Sequence, residues 1–535
     1  MMAAQWDYVI VGAGSAGCVL ADRLSADPRH RVLLLEAGPA DRHPFIHMPR
    51  GVAKLYGDPG HIWYFQTQAH GEVPSETWLR GKVLGGSSSI NGMMYFRGQP
   101  SDYDGWEAVG ARGWGWSAMA SAFRAMEGHE LGGSAVRGGE GPLRISVDRD
   151  KNPLHEAYIA AGLEMGLPRV SDLNDLGPDG QGVGYATRTI SRGRRQSSAQ
   201  AFLRRARTRP NLHVMTGATV ERIVFEGKRA AAVEAVVAGA RQRIDCAGEI
   251  ILSAGALMSP QILERSGIGQ ATRLRPFGIE PIHDSRGVGE HMFEHRLLMT
   301  QYEVDSPHTD NHELRGLRLV KNAARYFLGG GGKMSAGYGT VAAFAKVLPE
   351  SPTADIEIIY TPLVVMPDAQ GRLRPDQVPS IQIFGYPLRS RSEGHIHISG
   401  PGLAAPADLR ANYLTDAYDQ RVTIAMFRYI REWMEQGALA SIAPRERELT
   451  ASLHTDEEIL AAFRSNGQAG YHACGTCRMG AFADAVVDER CRVKGVAGLR
   501  VIDASIMPSM VSANTNGPVM AMAWRAADLI AEDRR

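Results

Sequence analysis

Two groups of residues in this chain have types and spacing suited to chemistry. The stretch HACGTCRMG at 472–480 puts His472, Cys474 and Cys477 within six positions. A structural zinc site would need four ligands; this stretch offers three, and Cys491 is the nearest fourth. A CxxC pair can cycle between thiol and disulfide, although the segment lacks the strand-to-helix setting of a thioredoxin-type site. A histidine can instead serve as a general base, since an imidazole with a pKa of about 6.5 accepts a proton at pH 7. A histidine satisfied inside the core is the bland alternative. The second group is Gly12, Gly14 and Gly17 in GAGSAG, followed by Glu36.

These residues need elements to hold them. DYVIV is an apolar run that reads as a buried strand, and a helical pattern runs through Leu24. HRVLLLEAG reads as a second buried strand ending at Glu36. The unit is β-α-β. Gly12 permits the tight turn, Gly14 lets the backbone approach a pyrophosphate, and Gly17 lets helix and strand pack closely. The helix N-terminus favours phosphate charge, and Glu36 can take the ribose hydroxyls. The pattern predicts an ADP-containing dinucleotide and does not separate NAD from FAD.

Further along, residues 213–253 read as a β-meander returning to a buried strand, and SPQILERSG reads as a helix. Residues 300–460 mix short strands (DIEIIYTPLVV, SIQIFGYPL, GHIHISG) with helices (DQRVTIAMFRYIREWMEQ, DEEILAAFRS). They predict an antiparallel sheet flanked by helices. GLRVIDASIMP reads as another strand ending in an acid, and GPVMAMAWRAADLIAED as a closing helix. The expected fold class is α/β, or α+β overall.

Bulk properties exclude several classes. A chain of 535 residues suggests two to four domains. A net charge of +1 gives no overall attraction to nucleic acid or an anionic surface. No apolar run reaches the roughly 18 residues of a membrane span. MMAAQWDYVIVGAG has no basic n-region, so no signal peptide is expected. Five scattered cysteines suit a reducing cytoplasm. The sixty glycines cluster between apolar segments, as expected for close backbone approach to a ligand. Seven arginines in 192–209 read as one basic helix face or internal ion pairs. The glycine-rich loop 328–339 is either a lid or an ordinary connection.

Four segments in order resemble the glucose–methanol–choline (GMC) oxidoreductase family, which uses FAD. They are the N-terminal dinucleotide unit; RGKVLGGSSSINGMMYFRG at 80–98; GALMSPQILERSGIG at 255–269 with GVGEHMFEH at 287–295; and YHACGTCRMG at 471–480 with LRVIDASIMPSMVSANTNGPVMAM at 499–522. The resemblance implies a Rossmann-like FAD-binding domain from 1–150, 195–300 and 465–535. The substrate domain, with the antiparallel sheet and flanking helices, would use 151–194 and 301–464. It implies cofactor contacts from Gly12, Gly14, Ser15, Ala16, Gly17, Glu36 and Ala37, then from Val83, Gly85, Gly86, Ser87, Asn91, Gly92 and Met93. Further contacts would come from Val220, Ala254, Asp503, Ala504, Asn516 and Pro518. Some members attach FAD covalently through a histidine in the second segment. Here Ile90 stands beside Asn91, so dissociable FAD is expected. His291 and Glu294 replace the family's usual asparagine and aspartate while His295 is retained; these three are expected to be structural.

By the same resemblance, His472 is the base and Asn516 faces it across the substrate oxygen. Asparagine can donate a hydrogen bond but cannot take the proton at neutral pH. The cysteines become packing residues, with no metal. The activity implied is oxidation of a primary alcohol (aromatic, longer-chain aliphatic or polyether) to the aldehyde, by hydride transfer to flavin N5. Electrons would pass to a quinone or dye. An oxidase returning them to dioxygen is the first rival. A hydroxynitrile lyase or a light-driven decarboxylase on the same scaffold is the second, and a flavin-binding protein without turnover the third. No nucleic acid partner is expected, and no feature names the alcohol.

Overall fold

Six residues from Trp6 to Val11 form a strand whose last four side chains are buried, and Val32–Glu36 forms a second that is buried throughout. Burial on both faces is what a central parallel strand requires. The computed structural model describes residues 6–148, 150–368 and 373–534; the leader reading of the N-terminus falls partly on residues 1–5, outside this range. The first sheet has the strand order 212–216, 32–36, 6–11, 240–252, 229–237, 218–226, and 499–501 also pairs with 240–252. The long strand Ala240–Leu252 has two roles. Its first half pairs antiparallel with Arg229–Val237, closing the expected meander. Its second half pairs parallel with Trp6–Val11 and with Leu499–Val501.

The helix Ser15–Leu24 packs against the closing helix Asn516–Asp533. Three strands of the parallel set end at Val11, Glu36 and Val501, and the second half of the long strand ends at Leu252. Gly12, Ala37, Ala254 and Asp503 therefore follow the carboxyl edge of one sheet, where doubly wound sheets bind ligands.

The second sheet is antiparallel, in the order 445–446, 296–303, 380–387, 356–361, 341–345, 182–185. Its strand Arg296–Glu303 runs across the division expected at 300. The helix Ala417–Met434 covers this sheet. Trp433 stacks on Tyr158 at 5.0 Å between ring centroids, and Tyr158 stacks on Tyr360 at 4.4 Å.

The arginine-rich segment differs from the single basic helix its composition suggests. Ala199–Leu203 is a π-helical turn that runs into a single α-helical turn at Arg204–Ala206. Arg205 and Arg209 both pair with the buried Asp22. Arg195 is buried and donates to the carbonyls of Ile46, Ser88 and Asn91. These arginines are internal struts. In the glycine-rich loop, Lys333 is tied to Asp150 at 2.5 Å and Asp310 at 2.8 Å.

Candidate functional site

At the N-terminal turn the glycines are set by steric need. Gly12 adopts φ +99°, and a Cβ there would stand 2.6 Å from the Ser253 carbonyl oxygen. A Cβ on Gly17 would stand 1.9 Å from the Gly12 carbonyl oxygen. Gly14 is different. Its φ is −80°, and a Cβ there meets nothing closer than 4.0 Å. The helix starting at Ser15 has no side-chain cap and no acid in its first turn. Its free amides and open Gly14 side form a cradle for an anion.

Neighbouring segments close around this turn. The Gly85 amide donates to the Ala13 carbonyl at 2.7 Å, and Gly86 lies against Gly14. Ser15 Oγ donates to Asn516 Oδ1 at 2.7 Å, which brings the closing helix with Pro518 to the cradle beside Ala16. The Glu36 carboxylate accepts from the amides of Ala13 and Gly38, each at 2.9 Å. Burial pushes its pKa up to about 7, against those two donors. A carboxylate has about four acceptor positions, so capacity remains for hydroxyls. The Gly217 amide donates to the Gly38 carbonyl at 3.1 Å and sets the strand carrying Val220 beside the turn at Ala37. This donor set and its open glycine side fit the adenosine and pyrophosphate parts of a dinucleotide.

Other expected contacts turn inward. Asp503 accepts from Gly255 N, Ser259 Oγ and Ser505 N, so both of its oxygens hold protein together. Ser259 Oγ also receives the Ala254 amide. Val83 packs with Ile46 and Leu55. Ser87 Oγ accepts from Gly81 N at 3.2 Å. Asn91 Oδ1 accepts from Arg195 and from the amide of Met93, whose φ is +65°. Gly92 is exposed with no atom near its Cβ position. Ile90, beside Asn91, presents a hydrocarbon where a covalent attachment would need a nucleophile.

The loop 471–480 is laced to the Asp503 turn: Gly475 N donates to Ala504 O, Cys477 N to Ser505 O, and Met479 N to Ile506 O. Cys474 and Cys477 are fully buried, and burial pushes both thiols upward. Cys474 Sγ lies 3.8 Å from Met510 Sδ. Tyr471 sits at φ +63°, a costly conformation for a non-glycine residue that often marks a functional turn.

His472 is held by a chain of hydrogen bonds that fixes its protons. His295 Nε2 lies 3.1 Å from the Leu388 carbonyl, which can only accept, so that nitrogen carries hydrogen. Burial lowers His295 to about 4, so its ring is neutral and its Nδ1 is an acceptor. His472 Nδ1, 2.9 Å away, must then be the donor. The lone pair of His472 is left on Nε2, facing Asn514 Nδ2 at 3.0 Å. Asn514 Nδ2 also donates to Tyr386 Oη at 3.0 Å, and Tyr386 donates to Glu357 at 2.8 Å. Reversing the Asn514 amide would set its oxygen against the His472 lone pair, so this chemistry assigns the amide orientation.

The structure thus departs from the expected pair. The partner at His472 is Asn514, two residues before Asn516, whose side chain is turned to Ser15. The reason is local: Asn516 opens the closing helix, whereas Asn514 lies in the preceding turn. Glu294 and His295, read from sequence as structural, lie directly on His472. Glu294 accepts from the His472 amide at 2.6 Å, and burial pushes it up to about 7. Tyr386 stacks on His295 with ring centroids 4.4 Å apart. The family motif retaining His295 was the one available signal. Nothing in the linear pattern marks Tyr386 or Glu357.

The expected ordinary pKa of His472 is also corrected. Burial, then the nearby His295 and Arg80, pull it well below 6.5. The titratable groups around it are His295, Arg80, Glu294 and Tyr386. Because the ring is already neutral, the rate of a proton transfer to it should stay flat from neutral pH upward as far as this group controls it. It should fall only on the acid side, well below the usual imidazole range. Stopped-flow rates across pH check this; a midpoint at about 6.5 would show that the imidazole behaves as if exposed.

The chain is similar to known proteins over nearly its whole length. The GMC oxidoreductase family matches residues 6–297 and 390–523. The chain is 38% identical over 540 residues to the human protein named "Choline dehydrogenase, mitochondrial", covering 98% of this chain and 90% of the relative. It is 36% identical to "Alcohol dehydrogenase [acceptor]" of Pseudomonas putida, covering 98% and 95%. Among solved structures, pyridoxine 4-oxidase from "Mesorbium loti" superposes with a TM-score of 0.87 at 31% identity, over 99% of each chain.

Proposed function

The chain belongs to the GMC oxidoreductase family and is an FAD enzyme; from that premise we propose that it oxidises a primary alcohol to the aldehyde. His472 is the base and FAD is bound without a covalent link. The observation that carries this reading is the hydrogen-bond chain Leu388–His295–His472, which leaves a lone pair on Nε2 of a neutral, partly buried imidazole.

Bound FAD supplies the acceptor for the hydrogen and electron pair that leave the carbon. The protein's own residues handle the oxygen. A substrate hydroxyl takes the place of the Asn514 N–H at His472 Nε2, donating to Nε2 and accepting the N–H that Asn514 thereby frees. As the carbonyl forms, the hydroxyl proton passes to His472 Nε2, while His472 Nδ1–H stays donated to His295 Nδ1. The Tyr386–Glu357 pair holds the Asn514 amide in its donating orientation. The segment 85–92 and the first turn of the closing helix at 516–518 hold the cofactor side, and the buried loop 473–477 keeps water from the reacting atoms. Electrons then leave to a quinone-type or dye acceptor, so the reading is a dehydrogenase. Turnover in air with dye present tests it. Dye reduction should match aldehyde formed, whereas stoichiometric hydrogen peroxide would make the protein an oxidase.

The geometry also separates the two asparagines. Asn514→Ala should slow flavin reduction by roughly 10–150-fold, the worth of about 1.5–3 kcal/mol for a hydrogen bond to developing charge. Asn516→Ala removes only the bond to Ser15 and should weaken flavin retention, with reduction in the loaded enzyme close to wild type. Single-turnover rates and bound-flavin ratios for both variants decide the assignment; the reverse pattern would return the role to Asn516.

A further inference from the structure

The helix Gly316–Gly329 is turned the wrong way for a helix that only closes a fold. Its buried side chains are Asn322 and Tyr326. Asn322 Nδ2 donates to the Glu313 and Arg318 carbonyls, its Oδ1 accepts from Lys333 N, and Tyr326 Oη donates to the His47 carbonyl. The apolar side chains point outward: Leu317 is 87% exposed, Val320 64%, Phe327 66% and Leu328 89%. With Ala324 they recur at the spacing of a single helical face. Exposed Met366 and Leu373 extend the apolar area on the neighbouring hairpin, whose ends are tied to Asn311 and Arg315.

The surroundings are cationic. Arg318, Lys321 and Arg325 fall along the adjoining helix face. Arg42, Arg192 and Arg194 are exposed at the helix's C-terminal end, where they line a cavity of about 500 Å³ with His47, Phe327 and Leu328. Arg318 pairs with Glu313 at 3.3 Å. Arg42, Arg192, Arg194, Lys321 and Arg325 have no carboxylate partner among the described residues. The sequence holds no acidic residue between Glu313 and Glu350. A net charge near zero therefore conceals a strongly basic, apolar face.

We propose that this face docks on an anionic lipid surface, with Leu317, Val320, Phe327 and Leu328 entering the headgroup region and the unpaired cations contacting the phosphates. An exposed apolar stripe with basic residues beside it is the arrangement that binds such an interface. A second copy of the chain fits less well, because a two-fold contact sets each patch against its own like charges. The proposal goes beyond the alcohol-oxidising reading and does not depend on it.

The test mixes the flavin-loaded full chain with phosphatidylcholine vesicles, with and without phosphatidylglycerol, and sediments them. The protein should pellet with the anionic vesicles, remain in solution with pure phosphatidylcholine, and be released by salt. Each lost cation should weaken partition by roughly fivefold, so the double variant Arg192→Glu/Arg194→Glu should lose at least about 20-fold. Phe327→Ser/Leu328→Ser should also bind weakly, with flavin content and turnover in solution unchanged in both variants. No pelleting with anionic vesicles, or equal pelleting with both kinds, would overturn the proposal. So would self-association in solution that these variants abolish, because the covered partner would then be a second copy.

Discussion

His472→Ala is expected to slow anaerobic reduction of the bound flavin by a good alcohol about 10²–10⁴-fold, the usual worth of a positioned base, while the flavin stays bound. The two expectations rest on different parts of the molecule. The imidazole gives its lone pair to the substrate side and its Nδ1 hydrogen to His295. It makes no contact with the Gly12–Gly17 turn, with Glu36 or with Ser15, so the cradle survives its removal. No other group facing it can replace it. His295 keeps its Nε2 hydrogen on the Leu388 carbonyl, and burial lowers it to about 4, which makes its Nδ1 a weak base. Glu294 turns Oε1 to the amides of His295 and His472, and its Oε2 lies 3.7 Å from Arg80. A variant that keeps its flavin and reduces at the wild-type rate would make His472 a core histidine.

The second large effect separates two glycines of one motif. Gly17→Ala should fail to yield a stable protein, although alanine favours helices. The new Cβ would lie 1.9 Å from the Gly12 carbonyl oxygen, inside the turn that joins strand to helix. Neither backbone segment can retreat, because Gly12 is itself pressed on Ser253. Gly14→Ala should fold normally, since its φ of −80° suits alanine and the nearest atoms are 4.0 Å away. The open space is where a pyrophosphate would approach, so this variant should hold flavin more weakly. An overpacking cost of about 1–3 kcal/mol corresponds to roughly 5–150-fold in affinity. Thermal unfolding and flavin titration of the two variants check this. A Gly14→Ala protein that binds flavin like the wild type would place the cofactor elsewhere.

The strand–turn–helix unit was legible because each of its residues answers a local need. Glycine spacing, the buried apolar runs and the acid at the strand end all act within 31 residues, from Trp6 to Glu36. The centre around His472 was legible only in part. Its histidine stood in a recognisable loop, but its surroundings come from elements far apart in sequence. His295 is 177 residues away and Asn514 42 residues away. Which asparagine faces the imidazole depends on where the last helix begins, a boundary that a run such as SANTNGP does not mark. The tautomer depends on one carbonyl, at Leu388, and the depressed pKa on desolvation by neighbours drawn from several elements. None of these is a property of a residue type. The outward apolar face of Gly316–Gly329 escaped for a related reason: composition and net charge average over a surface whose charges are unevenly placed.

The most direct test of the central claim is anaerobic mixing of the wild-type enzyme with a panel of aromatic, aliphatic and polyether primary alcohols while the flavin absorbance is followed in the dark. The account predicts that at least one alcohol bleaches the flavin and yields one aldehyde per flavin. A flavin that stays oxidised throughout the panel, while the protein cleaves a hydroxynitrile or decarboxylates a fatty acid under light, would contradict it.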